Sequence, residues 1–297
     1  MTRAVGLTLS AETPGKAVKL LVGLIGAGIQ GSLSPALHEE EARYHGLRLH
    51  YQLIDLDVAG VGVEALPGLV QAARLMGFAC LNITYPCKQA VIPLLDELSE
   101  EARAIGAVNT VVINRGRLVG HNTDGTGWSW GFQRALPGAN LARVVLLGAG
   151  GAGSACADAV LRLGARRLVI VDRETARAEE LADRMCAIHG SARAGTETDL
   201  AVALKDAHGL IHATPTGMTR HPGIPLPEAL LRPGTWVSEI VYVPLETPLL
   251  RAARRAGCRT MDGGHMNVGQ AVRGFKLFTG LDADPARMEA HFRRLVA

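Results

Sequence analysis

The sequence predicts an α/β protein built on mainly parallel sheet, and three observations predict it. Short apolar runs alternate with amphipathic stretches of helical length along most of the chain. Some of those runs, such as Arg143-Val144-Val145-Leu146-Leu147, are continuously apolar, as buried strands are. Several lead through turns rich in Gly, Ser, Asn or Thr straight into helices, the connection a βαβ chain needs.

The 297 residues are enough for one large or two ordinary domains. With 48% apolar and 20% charged residues the composition is that of a globular protein. A net charge of +3, with no Lys/Arg block, points away from nucleic acid. Apolar runs such as Leu20 to Ala27 are short and broken by Gly, which argues against a membrane span. Met1 to Lys19 lacks a compact apolar region and a clean cleavage site, so no signal peptide is expected. The five cysteines are scattered and form no C-x-x-C pair, which suits a reducing cytoplasm and argues against disulfides and zinc.

Taken in order, residues before about Val18 read as a ragged leader, and Leu20 to Ile25 as a buried strand ending in Gly26-Ala27-Gly28. A helix follows from Ala36 to about Tyr44, with Ser34 as its N-cap and Pro35 at N1. His50 to Leu56 alternates like a strand, and Gly62 to Met76 reads as a helix. Phe78-Ala79-Cys80-Leu81 is a strand that must end at Pro86, which pushes Tyr85 out of the α region. A helix is expected from there to about Leu98, continuing over Glu100 to Ile105. Asn114-Arg115-Gly116 is a turn between strands Asn109–Ile113 and Arg117–Gly120. A second unit begins near Asn122, with helix Gly127–Leu136, the strand Arg143–Leu147 and a helix to about Leu163. Strand Leu168–Val171, helix Ala176–Ile188 and strands Leu210–Thr214 and Trp236–Val241 continue the rhythm, and Gly263 to Ala297 is helical.

Two stretches carry chemistry. Asn82-Ile83-Thr84-Tyr85-Pro86-Cys87-Lys88 delivers two hydrogen-bonding side chains and an ammonium to one strand end, where open α/β sheets bind ligands. Its plainer reading is a loop whose Asn and Thr cap a helix and whose Lys is solvated. Gly148-x-Gly150-x-x-Gly153 lies between strand and helix, and Asp172 follows Gly153 by 19 residues at the next strand's end. Gly148 permits the turn, Gly150 lets backbone approach a pyrophosphate, and Gly153 lets helix pack on strand. Gly151 and Ala152 open the helix, whose N-terminal N–H groups suit phosphates. A carboxylate at Asp172 accepts from a 2′-hydroxyl and repels a 2′-phosphate. NAD is therefore expected, with NADP the alternative because Arg173 and Arg177 stand close by.

The ordered set of stretches resembles the shikimate dehydrogenase family, including its quinate/shikimate members. It comprises Ser32-x-Ser34-Pro35, Asn82 to Lys88, Gly106-Ala107-Val108-Asn109-Thr110, Gly120-His121-Asn122-Thr123-Asp124-Gly125, the glycine loop, Ala213-Thr214-Pro215, Tyr242-x-Pro244 and Gln270-Ala271. The set spans nearly the whole chain from Val22. The resemblance implies a substrate-binding catalytic domain of residues 1–121 plus 263–297 and a Rossmann dinucleotide-binding domain of residues 122–262. The site would lie in the cleft between them, with hinges near Asn122 to Gly125 and Asp262 to Gly264. It implies reversible hydride transfer between NAD(P) and C3 of shikimate/3-dehydroshikimate or quinate/3-dehydroquinate.

The resemblance also assigns roles. Ser32 and Ser34 fall on the positions that hold the substrate carboxylate. Asn82, Thr84, Asn109, Asp124 and Gln270 fall on those that hold ring hydroxyls, and Tyr242 lies near the substrate. Lys88 and Asp124 match the catalytic pair, and Gly148, Gly150, Gly151, Ala152, Gly153, Asp172, Arg173, Thr214 and Pro215 match the cofactor site. No metal is implied. His38, His121, His265 and Cys87 read as structural. The implied partner is a small hydroxylated ring carboxylate, with neither nucleic acid nor membrane; the oligomeric state is not legible, and a homodimer is compatible with the sequence.

The chain departs from the biosynthetic pattern at Gly31, Cys87, His212, Glu239, Val243 and Asn267, and Asp172-Arg173 replaces an Asn-Arg-Thr type of NADP-binding stretch. These departures favour an NAD-using paralogue. Two rivals remain on the same fold: a dehydrogenase of a related ring acid such as aminoshikimate, which Asn267 could accommodate, and a non-catalytic ligand sensor. A sensor would be expected to lose Lys88 and Asp124 or to add a nucleic-acid-binding domain. A nicotinamide dehydrogenase of an amino acid or folate fits less well with the Ser-x-Ser loop.

Overall fold

A computed structural model describes residues 18–296. The leader read before Val18, and the absence of a signal sequence there, lie outside the described residues. The chain divides into two compact units, one of residues 1–123 and 271–297, the other of residues 124–270.

The first unit holds β1 (Lys19–Gly26), α1 (Ser34–Tyr44), β2 (Arg48–Asp55), α2 (Leu56–Ala59), α3 (Leu66–Leu75), β3 (Cys80–Ile83), α4 (Cys87–Ala90), β4 (Glu97–Leu98), α5 (Glu100–Ile105), β5 (Thr110–Asn114) and β6 (Arg117–His121). Its sheet runs β2-β1-β3-β5-β6-β4. β1 pairs parallel with both β2 and β3, whereas β3–β5 and β5–β6 are antiparallel. The antiparallel pair follows from the tight turn at Arg115 and Gly116, whose φ angles of 50° and 80° allow a two-residue hairpin. Alternation along β3 sends Leu81 and Ile83 into an apolar core with Ile25, Leu66, Val70 and Val111. Asn82 between them points to the opposite face.

Two local expectations need correction. The helix drawn from Gln89 to Leu98 is a single turn, α4, followed by a 3₁₀ turn at Ile92–Leu94 and the short β4. Pro93 supplies no N–H to the carbonyl four residues back, so the α-helix cannot continue. Ser34 is not the N-cap of α1 but its first residue; Leu33 already has helical φ and ψ and takes the cap position without a side-chain bond.

The second unit begins with α6 (Asp124–Ala135), so Asp124 opens a helix. It continues through β7 (Arg143–Leu147), α7 (Gly151–Arg162), β8 (Arg167–Val171), α8 (Thr175–His189), β9 (Ala194–Thr196), α9 (Leu200–Leu204), β10 (Gly209–His212), β11 (Trp236–Glu239), α10 (Pro248–Arg255) and β12 (Arg259–Met261). α11 (Gly263–Thr279) carries residues of both units, and α12 (Pro285–Leu295) belongs to the first. The sheet of order β12-β11-β10-β7-β8-β9 is parallel throughout. Its strands are apolar on both faces because both are covered. Val144, Leu146, Leu168 and Ile170 enter a core with residues of α6, α7 and α8; Val145, Leu147, Val169 and Val171 enter another with residues of α9 and α10. On α6 the spacing Gly127-x-x-x-Gly131 leaves room for α11. A Cβ at Gly127 would stand 2.4 Å from the Gln270 nitrogen, and one at Gly131 2.7 Å from the His265 Cβ.

The C-terminal segment is tied into the first unit through Glu41, which is 1% exposed. Its carboxylate accepts from Arg287 Nε at 2.8 Å and Nη2 at 2.6 Å, and from the Asp284 N–H at 2.8 Å. His38, also on α1, is buried between Tyr51 and Phe275, stacked on each, and burial lowers its pKa to about 4. It is a neutral packing residue rather than one on the helix surface. No helix among the described residues is long and apolar enough to cross a membrane.

Candidate active site

In the first unit, β1 and β3 are adjacent and parallel, so the loops beyond their carboxyl ends emerge side by side. The Thr84 N–H donates to the Ile25 carbonyl at 2.9 Å, and the Ala27 N–H to the Tyr85 carbonyl at 2.9 Å. Gly26 is required at this crossing, because a Cβ there would fall 2.3 Å from Thr84 Cγ2 and 2.9 Å from the Tyr85 carbonyl oxygen. The segment after β1 carries Ser32 and, at the start of α1, Ser34; the segment after β3 carries Thr84 and, in α4, Lys88. The Ser34 N–H donates to Ser32 Oγ at 3.3 Å, which leaves the Ser32 hydroxyl proton free to be donated elsewhere.

The β1 loop is held by a residue that the sequence reading overlooked. Asp55 ends β2, is 5% exposed, and accepts from the N–H groups of Gly28 and Ile29 at 2.9 and 3.0 Å and from Gln30 Nε2 at 3.0 Å. An acid closing a predicted strand opposite a Gly-rich turn was the available signal. Burial pushes this carboxyl up, but the Gln30 amide and the converging N–H groups outweigh it and hold it below the ordinary carboxylate range. A carboxyl depressed in the folded state stabilises the protein fully above its unfolded pKa of about 3.9, and that stability is lost as pH falls through the folded value. Asp55→Asn is therefore expected to lower the urea midpoint at pH 7 and to flatten its decline below pH ~4. An unchanged acid limb in the variant would count against this.

Beside these loops is a buried amide–hydroxyl network. The Tyr51 hydroxyl donates to Asn82 Oδ1 at 2.7 Å, and Asn82 Nδ2 donates to the Asn109 carbonyl at 3.3 Å and Thr110 Oγ1 at 3.1 Å. Thr110 faces Asn82 in the antiparallel register. Asn109 Nδ2 donates to Thr123 Oγ1 at 2.9 Å, and its Oδ1 accepts from the Thr123 N–H at 2.9 Å. Both amide hydrogens of Asn82 are thus engaged within the protein, while its oxygen keeps a second lone pair. Neither Asn82 nor Thr84 caps α4, whose N-cap is Pro86. The half-buried Lys88 is fixed through its backbone, its carbonyl accepting from the Val108 N–H at 2.8 Å one residue before Asn109. Cys87 is fully buried, and burial raises its thiol pKa, so it is a packing residue. Burial likewise lowers the His121 pKa.

In the second unit the remaining residues stand on loops beyond the carboxyl edge of the parallel sheet or on helices beside it. The glycine loop follows β7. Gly148 has φ of 107° and lies so near Ala213 that a Cβ would fall 2.7 Å from the Ala213 oxygen; a Cβ on Gly153 would fall 2.0 Å from the Gly148 oxygen. Gly150, the N-cap of α7, has nothing within 4 Å of that position. A closed turn under an open backbone at a helix N-terminus fits a pyrophosphate. Gly151 and Ala152 are the first residues of α7. Asp172 follows β8, its carboxylate accepting from the Ala149 N–H at 2.7 Å and the Glu174 N–H at 2.9 Å. Arg173 is exposed, and Arg177 is paired with Glu174 at 2.9 Å. Thr214 and Pro215 follow β10, and Tyr242 follows β11. Asp124, 5% exposed, opens α6, and the α6–α11 crossing brings the backbone of Gln270 against the same helix. Asn267, 8% exposed on α11, has an Oδ1 with no hydrogen-bond partner among the described residues. Among the described residues no cluster of His, Cys, Asp or Glu could hold a metal ion.

Residues 24–111 match the shikimate dehydrogenase substrate binding domain, and residues 132–219 match the family described as shikimate / quinate 5-dehydrogenase. A shikimate dehydrogenase (NADP(+)) of Streptomyces avermitilis is 58% identical over 93% of this chain and 95% of that protein. The chain belongs to the shikimate dehydrogenase family. A quinate/shikimate dehydrogenase (NAD(+)) of Corynebacterium efficiens is 46% identical over 93% of this chain and 98% of that protein. Among solved structures, the quinate dehydrogenase from Corynebacterium glutamicum in complex with NAD superimposes with a TM-score of 0.86 at 43% identity, covering 93% of this chain and 99% of that one. The shikimate 5-dehydrogenase from Listeria monocytogenes in complex with shikimate and NAD gives 0.80 at 30% identity, with 92% and 96% covered. Membership of the shikimate dehydrogenase family therefore extends over both units, and the two-domain α/β fold read from the sequence is that of the family.

Proposed function

We propose that this chain is a shikimate/quinate dehydrogenase that prefers NAD and interconverts the C3 hydroxyl and ketone of a polyhydroxylated ring carboxylate. The observation that carries the reading is the convergence, at the neighbouring carboxyl ends of β1 and β3, of two serine hydroxyls, an amide–hydroxyl network and one ammonium. Those groups match a carboxylate, ring hydroxyls and a reacting oxygen in turn.

The nicotinamide, when bound, accepts or returns the hydride; the other tasks fall to the chain. Ser32 and Ser34 donate to the substrate carboxylate without bringing a competing charge. Asn109, Thr84 and Gln270 hold ring hydroxyls, and Asn82 orders Asn109 while its oxygen offers a further acceptor. A ring lacking one of these hydroxyls would leave a buried partner unsatisfied, which is how such a site discriminates. Tyr242 borders the ring. Lys88 and Asp124 form the catalytic pair: in oxidation they take the C3 hydroxyl proton as hydride leaves, and in reduction they return it to the developing alkoxide. Gly148 to Gly153 cradle the pyrophosphate, and Thr214 and Pro215 border the cofactor. Asp172, with Arg173 beside it, bonds the adenosine ribose. The NAD preference is supported by the Asp172 carboxylate and by the pairing of Arg177 with Glu174. The free cysteines support a cytoplasmic location.

The unpartnered Asn267 oxygen favours one second reading, a related ring acid carrying an amino group that would donate to it. A spectrophotometric panel tests both. Shikimate, quinate, aminoshikimate and their dehydro forms are offered with NAD and with NADP while nicotinamide absorbance is followed. The expected result is turnover of shikimate or quinate with a higher kcat/KM for NAD than for NADP. Higher efficiency with NADP would remove the cofactor assignment, and no turnover with any pair would remove the enzyme.

A further inference from the structure

His212 and Glu239 are both fully buried and face each other across β10 and β11 at the carboxyl edge of the sheet. His212 Nδ1 lies 2.8 Å from Glu239 Oε1, and the same oxygen accepts from the Val241 N–H at 3.0 Å. Glu239 Oε2 accepts from the Thr247 hydroxyl at 3.0 Å, and Thr247 in turn caps α10. Two donors, the Val241 N–H and the Thr247 hydroxyl, already take one lone pair on each carboxyl oxygen, and the third contact is made when His212 Nδ1 carries the proton and donates. The other ring nitrogen, Nε2, lies 2.5 Å from Thr214 Oγ1, which also accepts from the Thr216 N–H at 3.3 Å. In the Nδ1–H tautomer Nε2 is an acceptor, and the Thr214 hydroxyl proton points inward to it. The hydroxyl oxygen then has one lone pair on the Thr216 N–H and one left to accept. Thr214 Cγ2 stands 3.0 Å from where a Cβ on Gly148 would be, so the Thr214 side chain borders the glycine loop.

We propose that Glu239 and His212 are positioning residues that lock the Thr214 hydroxyl as a hydrogen-bond acceptor for a donor group of the dinucleotide, a ribose hydroxyl or the carboxamide N–H. The proposal rests on the reading of Thr214 as part of the cofactor site. A threonine hydroxyl ordinarily rotates to donate or accept as its neighbour requires. Here the buried pair removes that choice before the cofactor arrives, which lowers the ordering cost of binding.

The full-length protein tests this in two ways. In the ligand-free state, ¹⁵N spectra of histidine-labelled protein are expected to show His212 as the Nδ1–H tautomer, its signals identified by their loss in His212→Asn. Thr214→Val should shift the Nε2 resonance, because its hydrogen-bond donor is gone. An Nε2–H tautomer, or an Nε2 signal indifferent to Thr214→Val, overturns the proposal. In the second test NAD affinity is measured by calorimetry. Thr214→Val and His212→Asn are each expected to weaken NAD by about 3- to 10-fold, the range of one hydrogen bond. The double variant should be no weaker than Thr214→Val alone, with the KM for the ring substrate unchanged. Additive losses overturn the relay and leave Thr214 in the cofactor site, whereas wild-type affinity in Thr214→Val overturns the relay and that assignment together. Glu239→Gln replaces His212→Asn if the latter does not fold, and the His212 signals are then identified as those that shift most in Glu239→Gln.

Discussion

Lys88→Ala is expected to lose turnover by ~10²–10⁴-fold, the usual contribution of a positioned proton-transfer group. Substrate affinity should change little, because the carboxylate and the ring hydroxyls are held by other side chains. The loss should be confined to chemistry for a structural reason. Lys88 is placed by backbone bonds that alanine keeps: its carbonyl accepts from the Val108 N–H, and the one-turn α4 starts from the bond between the Cys87 N–H and the Thr84 carbonyl at 2.8 Å. The variant should therefore unfold at the wild-type urea concentration. Steady-state kinetics in both directions, with an unfolding curve on the same sample, checks this. A variant that keeps wild-type kcat removes Lys88 from the mechanism, and one that unfolds early would show that its side chain also holds the loop.

The largest expected effect on stability is at Arg287. Truncating it to alanine takes both guanidinium bonds from Glu41 and leaves a carboxylate of 1% exposure with only the Asp284 N–H and His45 near it. Breaking a buried pair from one side costs about 3–5 kcal/mol, and the lower end applies because the Arg287 side chain is 28% exposed and water can take part of its place. Arg287→Lys should recover only part of the loss, since an ammonium cannot reproduce the two-pronged bond. Burial alone would push the Glu41 carboxyl up, but Arg287 and the Asp284 N–H hold it below its ordinary value. By the same linkage as at Asp55, the deficit of Arg287→Ala should be greatest near neutral pH and shrink as the wild type is acidified. Urea midpoints of both proteins at neutral and acid pH measure it; a deficit that does not vary with pH would place the effect in packing against Tyr44, over whose ring the guanidinium lies at 4.4 Å.

What could be read from the sequence was what local chemistry dictates. Gly148, Gly150 and Gly153 sit in the turn and helix start their spacing required, and Asp172 ends the neighbouring strand. Arg115-Gly116 makes the hairpin that Asn114-Arg115-Gly116 suggested. The overextended helix after Lys88 came from following apolar spacing past Pro93. α10 went unread although Thr247-Pro248 is a plain cap-and-N1 signal; it is only eight residues long and rich in Arg, but Leu249, Leu250, Ala252 and Ala253 are buried along it. The site's supports were hidden for a different reason. Tyr51 and Asn82 are 31 residues apart, and Glu41 and Arg287 are 246 apart. The bond between His212 and Glu239 depends on strand order and register, which no local pattern encodes. Side chains that touch a ligand cluster in short motifs, whereas those that orient them are scattered through the chain.

That scattering has a consequence for how the protein is made. The second unit is one uninterrupted stretch and is complete once residue 270 has been synthesised. The first unit starts earlier and finishes later, because Phe275, Phe278 and Arg287 belong to it. On a ribosome adding about 5–20 residues per second, strands β1 to β6 exist for many seconds without the helices that cover His38 and neutralise Glu41. During that interval the half bearing Lys88 lacks the Arg287 partner of Glu41 and the aromatic rings that pack on His38. The unit that starts first along the chain is thus the one completed last.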